Sequence, residues 1–258
     1  MTSGRKKTTP PIKPRPEGSL TGRKGADWAA QLMLAGAEFK NTDRVLEVAC
    51  GDGVFALELA RHAGYVTGVD DSDELLAAAE DRILQSGADN LSFSQINAGR
   101  LAFDDETFDA VFCQGALHRF ADPGGIVREM VRVLKSPGRL YVADIIGAED
   151  KARRQAHCKI EQARRRLPTT LFAPSGLREL IAVDSMEIVA ESHWNERLGF
   201  EQWMPPSESS GSLRDKVSRM LVIAAKKKTT DLKIRISGKT ITFERRWMLI
   251  TAEKTGGP

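Results

Sequence analysis

Residues able to do chemistry cluster in a few short stretches of this 258-residue chain. The first is Arg44-Val-Leu-Glu-Val-Ala-Cys-Gly-Asp-Gly53, followed at once by Val54-Phe-Ala-Leu-Glu-Leu-Ala60. An apolar, β-branched run ends in Gly-x-Gly, and an amphipathic helix starts directly after it. That combination makes a cofactor loop: glycines permit a tight turn and close backbone approach, and the helix start offers unpaired N–H groups. The second is Asp70, which closes the run Tyr65-Val-Thr-Gly-Val-Asp70. An acid roughly 20 residues beyond a glycine loop is placed to accept ribose hydroxyls. The third is His118, within Gln114-Gly-Ala-Leu-His-Arg-Phe120. Imidazole ordinarily titrates near neutrality and is suited to proton removal there.

Gly51-x-Gly53-x-x-Ala56 also satisfies the loose dinucleotide-binding pattern, and Asp70 is compatible with it. Glu47 separates the two readings. A carboxylate inside the strand, just before the loop, sits poorly beside a pyrophosphate. It suits a cofactor whose near end is cationic, such as the ammonium and sulfonium of S-adenosylmethionine. A hydride-transfer site for an NAD enzyme is not found.

The elements that must position these residues alternate between strand and helix. Leu91-Ser-Phe-Ser-Gln-Ile96 reads as a third strand, Glu106-Thr-Phe-Asp-Ala-Val-Phe-Cys113 as a fourth, and Arg139–Ile146 as a fifth, entered through Ser136-Pro-Gly138. Asp71-Ser72-Asp73 caps a helix with Leu75, Leu76, Ala79 and Ile83 on one face. Asp122-Pro123 opens another, with Ile126, Val127, Met130, Val131 and Leu134 inward. Repeated strand–helix units predict a parallel sheet covered on both faces, with the ligand at the carboxyl ends of the strands.

With these ordered motifs, residues 40–147 resemble the class I S-adenosylmethionine-dependent methyltransferases. Within that class they resemble the small-molecule branch related to ubiquinone and menaquinone biosynthesis. The resemblance implies a Rossmann-like, doubly wound, mostly parallel seven-stranded sheet with an antiparallel edge strand and a helical cap over the acceptor site. It implies S-adenosyl-L-methionine as cofactor and S-adenosyl-L-homocysteine as product. Glu47, Ala49, Cys50, Gly51 and Gly53 would cradle the methionine part, and Asp70 the ribose. Asp71 and Leu75 would lie near the adenine. Asn97 and Ala98 would hold its edge, with Leu101 on the ring. Gln114 and the backbone of 115–118 would line the sulfonium end, with His118 the candidate base. The chain departs from the pattern twice. Ala49 stands where Gly is commonest, and Asn97 replaces the usual Asp, so its NH₂ needs a partner of its own.

The acceptor half carries no such motif. Lys24–Phe39 has helical spacing, and Trp28 is either a wall of the acceptor pocket or a core aromatic. Glu149–Leu167 reads as a helix with a narrow stripe of Ala152, Ala156, Ile160, Ala163 and Leu167. Lys151, Arg153, Arg154, His157, Lys159 and Arg164–Arg166 occupy its other faces. Such a cap would recruit an acidic small molecule, a carboxylate or phosphate; its plainer reading is a solvated surface helix. Beyond a short helix (174–183) and a strand (186–193), an inserted segment bearing Trp194, Phe200, Trp203 and Met204 is the expected acceptor wall, followed by a helix near 212–226. A hairpin over 232–252 would close the sheet. His193 is a second candidate base, and His62 reads as structural.

Composition narrows the remaining choices. At 41% apolar residues the chain can bury a substantial core. No apolar run reaches the roughly 18 residues of a membrane span, and the basic N-terminus has no apolar signal core. Three widely spaced cysteines read as reduced cytoplasmic thiols with no metal-ligand spacing. Residues 1–22 read as a disordered basic tail, with an anion-binding arm as the functional alternative; 23–258 read as one methyltransferase domain. The net charge of +3 does not call for a nucleic-acid partner. Cys113-Gln-Gly-Ala116 also lacks the Asn/Asp-Pro-Pro-aromatic signature of amino-methylating nucleic-acid enzymes. The expected activity is methyl transfer to oxygen or carbon of a small molecule. A non-methylating use of the same cofactor, such as cyclisation, and nucleic-acid methylation stand as alternatives.

Overall fold

The computed structural model describes residues 24–183, 185–204 and 209–256, without the side chains of 24–28. The tail and the Trp28 side chain therefore lie outside the described residues. In chain order the elements are α1 (Lys24–Gly36), β1 (Arg44–Val48), α2 (Val54–Ala60), β2 (Tyr65–Asp70), α3 (Asp73–Ser86), β3 (Leu91–Gln95), β4 (Phe108–Gln114), a 3₁₀ turn (Leu117–Arg119), α4 (Pro123–Val133) and β5 (Leu134–Ile146). They continue as α5 (Lys151–Arg165), α6 (Pro174–Ile181), β6 (Met186–Gly199), α7 (Phe200–Trp203), α8 (Gly211–Lys227), β7 (Arg235–Ser237) and β8 (Thr240–Lys254).

The sheet runs β3-β2-β1-β4-β5-β8-β6, with β7 added alongside β8. β3, β2, β1, β4 and β5 are parallel, while β8 is antiparallel to β5, β6 and β7. The expected seven-stranded path is present, and the short β7 makes eight. Val45, Leu46 and Val48 are fully buried, as befits a central strand covered on both faces. The order of strand addition reverses between the parallel neighbours β1 and β4, the switch point at whose carboxyl ends a crevice is expected. Local caps fix the helix starts: Ser72 accepts from the Leu75 N–H, Asp122 from Gly125 and Asp150 from Arg153.

β8 is longer than its neighbour β5. Its pairing with β5 ends at Arg246 opposite Ile146, whereas β6 follows it on to Thr242. The β6–β8 ribbon therefore overhangs the carboxyl edge of the parallel strands. α5, α7 and α8 pack on that overhang around Val217, Leu221 and Phe243, all essentially inaccessible. Each such side chain contributes about 1.5–3 kcal/mol by burial.

Several expectations change in detail. β5 starts at Leu134, before Pro137. β6 extends through Trp194 to Gly199, so Trp194 belongs to a strand and not to an insertion. The reason is period-two alternation: Glu196 and Leu198 are buried while Asn195 and Arg197 face solvent. The buried face of α5 is His157, Ile160 and Glu161, not the alanine stripe; Ala152 and Leu167 are exposed. The charges on that face are matched by counter-charges on the overhang. Leu75, expected on the inner face of α3, is 40% exposed. Among the described residues no helix is long and apolar enough to cross a membrane.

The two loop glycines serve different ends. Gly51 and Gly53 both have positive φ, at 56° and 72°. A Cβ on Gly53 would overlap the Phe93 ring and lie 2.8 Å from Ala79 Cβ, whereas one on Gly51 would meet nothing within 4 Å. Gly53→Ala is expected to lower Tm by about 4–8 °C, reflecting backbone strain plus overlap, and Gly51→Ala by only about 2–4 °C, from strain alone. Thermal denaturation of the two variants checks this, and equal shifts would contradict it.

Candidate functional site

β1 delivers Glu47 into the sheet interior, opposite Gly68 of β2 and Phe112 of β4. The side chain is 3% exposed, and its Oε2 has no hydrogen-bond partner. Burial pushes its pKa well above the ordinary carboxylate range, and the nearby Asp52 and Asp70 carboxylates push it the same way. A backbone bond from Ala56 opposes them. The chain thus holds a dry carboxyl with no cation among the described residues acting on it, on the strand that leads into the glycine loop.

The loop after β1 is held by its own backbone. The Cys50 N–H donates to the Val69 carbonyl (3.0 Å) and the Gly53 N–H to that of Cys50 (3.1 Å). Ala49 adopts φ 58°, a left-handed geometry that favours glycine, which explains why Gly is commonest there. The Cys50 thiol is pushed well up by burial, then by Glu47 and Asp70; Cys113 is pushed up likewise, chiefly by burial. Neither offers a thiolate.

Asp70, at the end of β2, is 8% exposed. It accepts the Gly51 N–H at Oδ2 (2.9 Å) and the Ser72 N–H at Oδ1 (3.1 Å). A carboxylate has about four lone-pair sites, so each oxygen keeps capacity for a hydroxyl. The same bonds tie the glycine loop to the start of α3. Asp71 and Leu75 are exposed just beyond.

Asn97 is exposed past β3, with Oδ1 accepting the Gly99 N–H (2.8 Å) in a local turn. Ala98 and Leu101 are buried against the α4 side of the core. The loop is clamped from α4: Glu129 accepts the Leu101 N–H (2.8 Å), and Arg132 donates to the Leu101 and Phe103 carbonyls (2.9 and 2.8 Å). Gln114 is half-buried at the end of β4, and Gly115 follows with φ 61°.

His118 is 5% exposed, on the 3₁₀ turn after β4. Its Nδ1 lies 2.6 Å from Asp144 Oδ1, and its backbone N–H donates to Asp144 Oδ2 (2.9 Å). Asp144 is fully buried in β5 and also accepts the Ile145 N–H (2.7 Å). A carboxylate accepts only, so Nδ1 carries the hydrogen and Nε2 presents a lone pair. Arg165 Nη1, from the last turn of α5, stands 3.3 Å from that Nε2. This is the orientation a base requires.

The aromatic residues divide. Trp194 is half-buried and stacks on Trp247 of β8 with centroids 5.8 Å apart. Trp247 in turn stands 3.3 Å from where a Cβ on Gly115 would lie. Trp203 packs away from that loop, edge-on to Phe243 (4.8 Å) and under Arg164 (4.7 Å), and belongs to the overhang core. It is not part of the wall expected of it, because α7 turns the segment onto α8. His193 is exposed and lies 3.7 Å from Glu191. His62 is exposed near Glu58 and Phe39. Neither belongs to the cluster.

Sequence reasoning missed Asp144, Trp247, the ion-pair roof and, within the basic cap it named, the contact of Arg165 with His118. In that roof Arg245 joins Glu196 (2.7 Å) and Glu161 (3.6 Å), and Glu196 also accepts the Trp247 indole N–H (2.9 Å). Burial acts to raise the pKa of Glu161, yet Arg164, Arg245, His157 and His118 bring it down to about 2. An acid at the carboxyl end of the fifth strand was the readable signal for Asp144. Trp247 had only its place in an alternating strand.

A glycine loop, a buried acid and a second acid at the carboxyl edge of a doubly wound sheet define a class of α/β protein with a cofactor-type crevice. More closely, a family profile described as a methyltransferase domain matches residues 39–196, and the chain belongs to that family. The uncharacterised methyltransferase YcgJ of Bacillus subtilis is 36% identical over 119 residues, 46% of this chain and 47% of its own length. A ubiquinone biosynthesis O-methyltransferase of Pseudomonas fluorescens is 35% identical over 103 residues, 40% of this chain and 44% of that one. The chain thus spans about half the length of the curated relatives it matches. The YcgJ crystal structure superposes with a TM-score of 0.81 at 24% identity, covering 89% of this chain and 99% of that one. The [4+2]-cyclase SpnF superposes at 0.65 and 20%, covering 93% and 86%. At those identities the likeness shows the fold.

Because its folded-state pKa is raised, Glu47 keeps its proton to higher pH than in the unfolded chain. It therefore lowers stability as pH climbs from the ordinary carboxylate range to the folded pKa. Glu47→Gln is expected to raise Tm by about 2–4 °C near pH 7.5, a gap that closes towards about pH 4. Melting curves across that range check it; a destabilised variant at neutral pH would contradict it.

Proposed function

We propose that the chain transfers a methyl group from S-adenosylmethionine to a small-molecule acceptor, at oxygen or carbon. The observation that carries this reading is Glu47, a buried carboxyl with an unpartnered oxygen beside a glycine loop open to a ligand. A group with a cationic end supplies the missing counter-charge, whereas a pyrophosphate would add repulsion. The residues present fit the cofactor. Glu47 and the 49–53 loop would hold its amino-acid end, and Asp70 its ribose. Asp71, Leu75, Asn97, Ala98 and Leu101 would border its adenine, with Gln114 towards the reacting end. When bound, it supplies a methyl group on an already reactive sulfonium.

The protein's own contribution is alignment, exclusion of water and proton removal. Asp144 orients His118 so that Nε2 is the accepting nitrogen, now met by Arg165, from which position it would take a proton from an acceptor hydroxyl or acidic carbon. Trp247 and Trp194 supply an apolar wall beside Gly115. The basic cap suits an acidic acceptor. Membership of a methyltransferase family and the named methyltransferase relatives support this reading.

Asp70→Ala is expected to weaken S-adenosylhomocysteine binding at least tenfold by calorimetry, and Asp70→Asn to do so while its one amide oxygen keeps a single backbone bond, to Gly51 or to Ser72. Unchanged affinity in both would place the ribose elsewhere. For catalysis, an acceptor is first found by transfer of labelled methyl. With that acceptor His118→Gln is expected to slow transfer by about 10²–10⁴ and leave cofactor affinity intact. A normal rate across the pH range would remove His118 as the base. A rearranged product without label would instead indicate cyclisation-type chemistry.

A further inference from the structure

Half-buried arginines in this chain almost always face an acid. Arg132, Arg164, Arg178, Arg245 and Arg246 each have a carboxylate within 3.2 Å. Arg165 does not. Among the described residues its nearest polar side-chain contact is the His118 Nε2, at 3.3 Å, and it forms no ion pair. Its neighbours make the omission costlier. Burial drives its pKa down to about 10, with Arg119, Arg164 and Arg245 pressing in the same direction and the Glu161 carboxylate, beyond ion-pair distance, opposing them. The carboxyl end of α5 offsets part of that repulsion, since a helix ends in partial negative charge. It supplies no oxyanion to the guanidinium face that meets His118.

We propose that Arg165 is the receptor for an oxyanion carried by the acceptor, held against His118 at the mouth of the crevice. The inference rests on the methyl-transfer reading of the same site. Three observations point to it: a guanidinium with no ion-pair contact among the described residues, its contact with the lone pair of the Asp144-oriented imidazole, and a second, exposed arginine, Arg119, directly after His118. Guanidinium pairs with carboxylate or phosphate through charge-assisted, often paired hydrogen bonds. In the present arrangement Arg165 donates to Nε2. An arriving oxyanion competes for that donor, so the anion that anchors the acceptor also frees the nitrogen that takes its proton. Anchor and base are thereby coupled, and neutral analogues lack the means to separate them.

The test uses the full chain saturated with S-adenosylhomocysteine and titrated with benzoate, phenyl phosphate and neutral benzamide. Binding is read by calorimetry, and the His118 ring by its ¹⁵N and ¹H signals. At least one anion is expected to bind ten times or more tighter than benzamide and to shift the His118 ring signals. The stronger of the two identifies carboxylate or phosphate as the anchor. Arg165→Gln should reduce that anion to the level of benzamide, Arg165→Lys should keep part of the preference, and S-adenosylhomocysteine affinity should stay unchanged in both. Equal binding of anions and benzamide overturns the proposal. So does an anion preference that survives in Arg165→Gln, or no anion binding up to about 10 mM, a range that captures weak single-contact ligands. A chain that fails to bind S-adenosylhomocysteine but binds the anion through Arg165 would instead retain the receptor and discard the methyl-transfer reading.

Discussion

Glu47 sits in the middle of the sheet, out of water, with one carboxyl oxygen unpartnered and two further acids nearby. Removing such a group from water is unfavourable unless a cation or hydrogen bond compensates. The free protein supplies one backbone bond and no cation. The surrounding design follows from that imbalance. Gly51 has open space at its Cβ position, Asp70 fixes the loop through the Gly51 N–H, and the Phe93 ring packs against Gly53. A more stable sheet would place an apolar side chain at position 47. The chain retains instead a carboxyl, which on the proposed reading is there to meet a cationic ligand.

The opposite side of the crevice is organised by charge of the other sign. The overhanging β6–β8 ribbon and α5 bury Glu161, Glu196, Arg245 and His157 with little water access. Breaking such a pair costs more than forming it returns, because the remaining charge is stranded. The network therefore fixes α5 over the loop after β4, and with it the reach of Arg165 to His118. Fold and site meet here: a long antiparallel strand, β8, carries Arg245 and Trp247 two residues apart on one face, both bonded to Glu196, with the Trp247 ring reaching Gly115.

The half of the fold that carries the proposed cofactor site was legible because its signals are local. Strand, glycine turn and helix lie within one short stretch, and Glu47, Gly51, Gly53 and Asp70 come together through adjacent parallel strands whose order follows from repeated strand–helix units. The acceptor half was not, because its contacts are distant in sequence. His118 meets Asp144 across two strands and Arg165 across a helix, and Trp247 reaches Gly115 from the far end of the chain. His157 and Glu161 read as a solvated face because nothing local reveals that Arg245 and Asp231 will oppose them. Trp203 looked like pocket wall by residue type, yet the turn at α7 sends it into the overhang core.

The most direct test of the central claim is calorimetric titration of the intact chain with S-adenosylhomocysteine, with NAD as the parallel ligand. The account predicts micromolar binding of the first and none of the second, since only the first brings an ammonium group to Glu47. Binding of NAD in its place, or of neither, would contradict it.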